Sequence, residues 1–165
     1  MKKITNIIIH CSDSEFGSAS EIRRWHLANK WDDIGYHFVI TNGNILSTVS
    51  WRKGLFLPIM DGALEIGRYL DGDNLVAGNE IGAHALGYNE TSIGICLIGV
   101  KKFTPKQFVM LINLLDILLP MFGLTIDAVK GHYEVSASRT CPNFDMVKFR
   151  ESYKNKTCSI DERFS

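Results

Sequence analysis

Two uninterrupted runs of apolar residues most constrain how this chain of 165 residues can fold. One run covers residues 7–9, and the other covers residues 92–99, which read SIGICLIG. A half-buried strand alternates apolar and polar residues, whereas short continuous apolar runs are typical of strands that are covered on both faces. The sequence therefore predicts a central sheet with helices packed against it.

Strand and helix patterns alternate along the rest of the chain. We expect strands at 4–9, 36–40, 45–49, 92–99 and 128–130, and helices at 19–29, 105–120 and 144–153. Thr104 and Gln107 have the spacing of a helix capping box, and Asn42-Gly43 favours a tight hairpin turn between two strands. This order predicts a single α/β domain over residues 1–154, with a central mixed β-sheet flanked by helices.

Residues 51–80 fit this plan least well, because they hold five glycines and one proline. Long irregular segments in compact domains are usually functional or disordered. We interpret this segment as an inserted hairpin or lid. The last residues, 155–165, are expected to form a polar C-terminal tail.

Charge and hydropathy exclude some classes of partner. The chain has 18 basic and 18 acidic side chains, so no basic patch is expected and no nucleic-acid partner is predicted. The most apolar segment, 108–122, is short of the ~20 residues that span a bilayer, which predicts no membrane span. His10 ends the first apolar stretch before a signal sequence could form, so we expect synthesis in the cytoplasm without a signal peptide. The oligomeric state is not predictable from these features.

Three residues that can bind a metal stand near the ends of predicted elements: His10 and His132 each follow a strand, and Cys141 lies nine residues beyond His132. Two imidazoles and one thiolate leave the fourth position of a tetrahedral zinc ion open, which is typical of a catalytic site. A structural zinc site would need a fourth protein ligand, for which the sequence offers no convincing candidate. None of the four cysteines forms a C-x-x-C pair.

Six motifs follow one another along residues 4–150. They read IIIHCS at 7–12, WDDIGYHFVI at 31–40, GAHALGYN at 82–89, SIGICLIG at 92–99, FTPKQ at 103–107 and GHYEVSASRTCPNFD at 131–145. This series resembles the type 2 N-acetylmuramoyl-L-alanine amidases, the family of bacteriophage lysozymes and peptidoglycan recognition proteins. The resemblance implies a mixed sheet flanked by helices, one zinc ion in a surface groove, and hydrolysis of the amide between muramic acid and L-alanine in peptidoglycan.

The resemblance also implies roles for individual residues. His10, His132 and Cys141 match the family's zinc ligands, in agreement with their ligand chemistry. Tyr36 matches the catalytic tyrosine, whose phenol can position the attacking water or donate a hydrogen bond to the oxyanion. Taken without the motif, Tyr36 would be read as a core tyrosine at the start of a strand.

Two features depart from the family pattern. Arg139 stands where catalytic members usually carry lysine, so charge stabilisation is retained but proton transfer from this position is in doubt. The strand at 92–99 lacks the glutamate that serves as general base in the amidases that recycle anhydro-muropeptides. This second departure points to the phage lysozyme branch, in which the tyrosine takes part instead.

Further residues are assigned to the groove or to the core. His84 matches a groove histidine that contacts substrate or makes a structural hydrogen bond, and Tyr88 and Asn89 are candidates for substrate binding. Side chains alternate along a strand, so His37 is expected on the face opposite Tyr36 as a core or supporting group. By the same alternation Cys11 is expected to face away from the metal, and Cys96 is expected to be a buried thiol.

The predicted function is that of a zinc amidase acting on the bacterial cell wall or in the periplasm, as a phage or prophage endolysin. Two other functions remain open. One is a peptidoglycan-binding module without activity, against which the presence of Tyr36 and Cys141 argues. The other is a lysozyme-like regulator of an RNA polymerase, for which the sequence contains no specific feature.

Overall fold

The two apolar runs lie side by side at the centre of a sheet in the computed structural model, which describes residues 2–45 and 52–155. The first belongs to strand β2 (Asn6–Cys11) and the second to strand β6 (Ser92–Leu97), and the two pair in parallel. Every residue of β6 is buried, as is every residue of β2 after Asn6. The prediction of strands covered on both faces is confirmed.

Three further strands complete the five-stranded sheet. They are β3 (Phe38–Asn42), β4 (Asp61–Ile66) and β7 (Val129–Gly131). The order is β4-β3-β6-β2-β7, with β4 antiparallel to β3 and all other neighbours parallel. Strands β1 (Lys2–Lys3) and β5 (Leu75–Val76) form a separate antiparallel pair. The predicted mixed sheet is therefore present.

Helices cover both faces of this sheet. They are α1 (Ala19–Ala28), α2 (Pro105–Met121), α3 (His132–Val135) and α4 (Met146–Lys154). Ile95 and Leu97 of β6 pack in the larger core with α2 and α4, whereas Cys96 packs in the smaller core with Ile22 of α1. Because neighbouring residues of β6 enter different cores, the strand has no polar face. No helix of the described residues is long and apolar enough to cross a bilayer.

The predicted capping box at the start of α2 is confirmed, and one of its side chains also contacts the sheet. Gln107 Oε1 accepts from the Thr104 amide at 2.9 Å, and the Thr104 hydroxyl accepts from the Gln107 amide at 3.2 Å. The buried Gln107 Nε2 also donates to the carbonyls of Ile40 at 3.0 Å and Ile98 at 2.8 Å. One side chain thus joins α2 to the ends of two neighbouring strands.

His37 is a core residue that makes a similar link. It is fully buried, its Nδ1 accepts from the Gly94 amide at 2.9 Å, and its Nε2 donates to the Glu80 carbonyl at 2.8 Å. Burial lowers the pKa of His37 to about 4, so the ring is neutral at physiological pH. The expectation that His37 supports the core is confirmed.

Several predicted boundaries differ from those of the structure. The strand expected at 45–49 lies almost entirely outside the described residues, and among the described residues the antiparallel neighbour of β3 is β4, within the segment 51–80. The last helix begins at Met146 rather than at 144, because the Asp145 carboxylate caps it by accepting from the amides of Val147 and Lys148. The role of 51–80 as a lid stays a prediction.

We expect Gln107→Leu to lower the free energy of unfolding by about 2–3 kcal/mol, because loss of a partner costs a buried polar group roughly 1–3 kcal/mol. Urea unfolding measures the change. Asn113→Leu, at an exposed position of the same helix, is the control and should change stability by less than about 0.5 kcal/mol. Equal effects of the two variants would contradict the structural role of Gln107.

We expect His37 to make the fold less stable in acid. Its pKa is about 4 in the folded protein against 6.5 for the free side chain. The unfolded chain therefore binds the proton first, and stability present above pH 6.5 is lost as the pH falls toward 4, by up to roughly 3 kcal/mol. Urea unfolding with EDTA present should show a weaker pH dependence for His37→Asn, which does not titrate. An unchanged slope would show that other groups carry the effect.

Candidate active site

The fold brings His10, His132 and Cys141 together, with their ligand atoms within 4.8 Å of one another. His10 lies near the carboxyl end of β2, and His132 follows β7, which pairs with β2 in parallel. Parallel neighbours end at the same edge of a sheet, so the two imidazoles meet there. Cys141 follows in the loop after α3. These three residues can hold a metal ion.

Both histidines present the same nitrogen to the sulfur. The Cys141 Sγ lies 3.3 Å from His132 Nδ1 and 3.8 Å from His10 Nδ1. The two rings are close to each other, with centroids 4.4 Å apart. The exposed fraction is 1% for His10 and 9% for His132, so the cluster lies at the bottom of a groove and not on the surface.

The protonation states of this cluster suit metal binding. A hydrogen bond from the Cys11 thiol, followed by hydrogen bonds from His10 and His132, lowers the pKa of Cys141 far below its ordinary value despite its partial burial. Burial lowers the pKa of His10. A thiolate and a neutral imidazole are the forms in which these side chains bind metals.

Cys11 lies beside Cys141, so the prediction that it faces away from the site was wrong. Its thiol shares a hydrogen bond with Cys141, which raises the pKa of Cys11, and Asn143 Nδ2 lies 3.4 Å from its sulfur. Cys11 is the last residue of β2, where its side chain and that of Cys141 line the same cavity. The position of Cys11 as the last residue of its strand was the only sequence signal for this contact.

The cluster opens into a cavity of about 330 Å³. Side chains of the loops before β3, after β2 and after α3 form most of its wall. The lining residues include Cys11, Ser12, Asp13, Trp31, Tyr36, His84, His132, Ser138, Arg139, Thr140, Cys141 and Asn143. Both residues assigned to catalysis from the sequence, Tyr36 and Arg139, therefore line the same cavity as His132 and Cys141. Trp31 and Asn143 are lining residues that the sequence did not identify.

Tyr36 lies directly against the cluster. Its ring centroid is 5.1 Å from that of His10, and it precedes β3 instead of beginning it. Burial, and then the neighbouring thiols of Cys96 and Cys141, raise the pKa of its phenol well above 10. The phenol is therefore neutral and can donate a hydrogen bond. Cys96 is a fully buried thiol, as predicted.

His84 contacts the cluster from the side of β6. Its Nδ1 lies 3.0 Å from His10 Nε2, and 8% of the residue is exposed. Burial, followed by the charges of His10 and His37, lowers the pKa of His84 well below 6.5. Its ring is therefore neutral.

Tyr88 and Asn89 occupy the loop that carries His84, and they are not among the side chains that line the cavity. The Asn89 side-chain oxygen accepts hydrogen bonds from the backbone amides of His84 at 2.9 Å and Ala85 at 2.8 Å. The Tyr88 carbonyl accepts from the hydroxyl of Ser92 at 2.7 Å. In this structure both residues hold the loop together, and their contact with substrate stays a prediction.

Comparison with known proteins places this geometry in a family. A family model described as N-acetylmuramoyl-L-alanine amidase matches residues 1–144. The endolysin of Escherichia phage T7 is 34% identical over 94% of this chain and 89% of its own length, and that of Klebsiella phage KP32 is 31% identical over 97% and 93%.

Solved structures show the same fold. The N-acetylmuramoyl-L-alanine amidase LysC from Clostridium intestinale superposes with a TM-score of 0.69 at 24% identity, over 92% of this chain and 86% of that one. Drosophila PGRP-LB superposes with a TM-score of 0.60 at 21% identity, over 100% and 85%. With the match over residues 1–144, the resemblance seen in the sequence is confirmed: the chain belongs to the N-acetylmuramoyl-L-alanine amidase family and is an amidase.

Proposed function

We propose that this amidase cleaves the bond between the lactyl group of N-acetylmuramic acid and L-alanine with a zinc ion held by His10, His132 and Cys141. The observation that carries the proposal is the convergence of two imidazoles and a thiolate, within 4.8 Å, at the bottom of a groove. The substrate is peptidoglycan or a muropeptide released from it.

The donor set fits zinc better than the other common metals. Thiolate and imidazole are the ligands that zinc prefers, whereas magnesium and calcium select oxygen atoms. Three protein ligands leave a fourth position for water or substrate, which is the pattern of catalytic zinc. Zinc bound here would act as a Lewis acid on the amide carbonyl and supply a water that is activated near neutral pH.

Tyr36 is assigned to the stabilisation of the tetrahedral oxyanion. A partly buried phenol that stays protonated is a hydrogen-bond donor held in place before the reaction begins. Its ring lies against that of His10, so its position is tied to the proposed metal ligand. A neutral donor suits this role because it needs no proton transfer.

Arg139 lies in the wall of the same cavity, two residues before Cys141. Its guanidinium keeps its positive charge throughout the reaction, so it can attract the negative charge that develops on the substrate but does not serve as a proton donor. We assign Arg139 to charge stabilisation and orientation of the substrate. The proton for the leaving amine is then supplied by another group or by water.

The relatives indicate the biological setting. The similar curated proteins are endolysins of phages that include Escherichia phage T7 and Klebsiella phage KP32. We propose the same role for this chain, which would be made in the cytoplasm of an infected cell and would act on the cell wall or in the periplasm. An amidase of this kind needs access to the wall when lysis begins.

Digestion of purified peptidoglycan, followed by mass spectrometry, tests the proposed function. We expect stem peptides with a free N-terminal L-alanine, loss of these products with a chelator, and their return with added zinc. Cys141→Ser should lose most of the activity and bind zinc weakly, because a hydroxyl does not supply the thiolate ligand. Cys158→Ser, outside residues 1–144 of the family match, is the matched control. Bound zinc without cleavage would favour a peptidoglycan-binding module.

Substitution of Arg139 tests its assigned role. Arg139→Lys should keep kcat or raise it, because lysine retains the charge and can also transfer a proton. Arg139→Ala should lower kcat by roughly 100-fold or more, as expected when a group that stabilises the transition state is lost. Zinc content, measured in parallel, should not change in either variant. A large loss in the lysine variant would show that the planar guanidinium itself is required.

A further inference from the structure

The second nitrogen of His10 has a partner that the proposed mechanism does not use. We propose that His84 is a positioning residue, which accepts a hydrogen bond from Nε2–H of His10 and so holds the His10 Nδ1 lone pair toward the metal. This inference rests on the zinc site proposed above. It assigns to His84 a role that does not require contact with substrate.

With a metal ion bound at Nδ1, the geometry of His10 leaves one arrangement of its proton. Nδ1 faces the Cys141 sulfur at 3.8 Å, and Nε2 faces His84 Nδ1 at 3.0 Å. A neutral imidazole binds a metal through the nitrogen without hydrogen, so binding through Nδ1 requires the proton on Nε2. His84 Nδ1 must then be the acceptor, and the His84 ring carries its own hydrogen on Nε2.

The two rings are oriented for this contact. Their centroids are 5.1 Å apart, and their planes meet at 85°. Both residues are more than nine-tenths buried. In such an environment solvent competes weakly for the hydrogen bond, and without His84 the Nε2–H of His10 would be left unpaired. The other nitrogen of His84, Nε2, is buried without a hydrogen-bond partner among the described residues, so Nδ1 is the nitrogen through which His84 is held. The contact therefore restricts rotation of the His10 ring.

The fold holds His84 in a close-fitting site on β6. A Cβ atom added to Gly94 would lie 2.6 Å from the ring of His84, and one added to Gly82 would also lie 2.6 Å from it. On the other side, Asn89 binds the backbone amides of His84 and Ala85. The loop 82–89 and strand β6 thus set the position of His84 before any metal binds.

This connection explains why Gly94 interrupts an otherwise bulky strand. Its missing side chain makes room for the His84 ring, and its backbone amide donates to His37 Nδ1 at 2.9 Å. The same residue of β6 therefore places two histidines. Groups that orient metal-binding histidines typically change metal affinity by 10–100-fold when they are removed.

The test compares zinc affinity among variants of the full chain, by competition with a chromophoric chelator. His84→Leu removes both nitrogens and should weaken zinc binding by roughly 10–100-fold. His84→Asn keeps an acceptor oxygen close to the position of Nδ1 and should restore most of the affinity. His26→Leu is the control, because His26 Nδ1 accepts from the Gly35 amide and not from a proposed zinc ligand. The zinc affinity of this variant should match that of the unsubstituted protein.

Thermal unfolding of the zinc-free variants separates positioning from folding. If His84 had a purely structural role, His84→Leu and His84→Asn would both be less stable than the unsubstituted protein, and the two variants would bind zinc with the same affinity. Equal zinc affinity in the leucine variant and the unsubstituted protein would overturn the inference. So would failure of asparagine to restore binding in a protein that folds normally.

Nitrogen NMR of the unsubstituted protein, labelled at histidine and loaded with zinc, gives a test that does not depend on a variant. We expect a hydrogen on Nε2 of both His10 and His84, with His84 Nδ1 unprotonated. A hydrogen on His84 Nδ1 would overturn the inference while leaving the zinc amidase intact. An unsubstituted protein that binds no zinc would overturn the proposed function, and with it this inference.

Discussion

The parallel pairing of β2 with both β6 and β7 is the constraint on which the rest of the structure depends. This pairing places His10 and His132 at one edge of the sheet, and it does so because both strand ends point the same way. The pairing is stabilised by burial of the apolar residues of β2 and β6 on both faces. A shift of one residue in the register of β2 would turn His10 away from Cys141, so the core determines the geometry of the groove.

The core and the site are joined by hydrogen bonds as well as by strand register. His37 and His84 both contact Gly94 of β6, and His84 contacts His10. Burial keeps these neighbouring rings neutral, which allows them to lie close together without charge repulsion. The histidines that support the proposed metal site therefore belong to the folded core, where hydrogen bonds and close packing hold them in place.

Much of this organisation follows from the sequence because it depends on local patterns. The apolar runs identify β2 and β6, and the spacing of Thr104 and Gln107 identifies the start of α2. The sequence did not identify β4 as the antiparallel neighbour of β3, because this pairing joins segments about 20 residues apart and no local pattern encodes such a contact. Cys11 was misplaced because alternation along β2 does not show that the loop carrying Cys141 reaches the end of that strand.

Charge is distributed unevenly over the groove, and this distribution determines which chemistry each residue can perform. The Cys141 thiolate is a negative group at the bottom, Tyr36 is neutral, and Arg139 is a positive group in the wall. A substrate amide in this groove would meet a hydrogen-bond donor, Tyr36, and a cation, Arg139, both of which favour negative charge on its oxygen. We assign Tyr36 and Arg139 to charge stabilisation, and the proton for the leaving amine is then supplied by another group or by water.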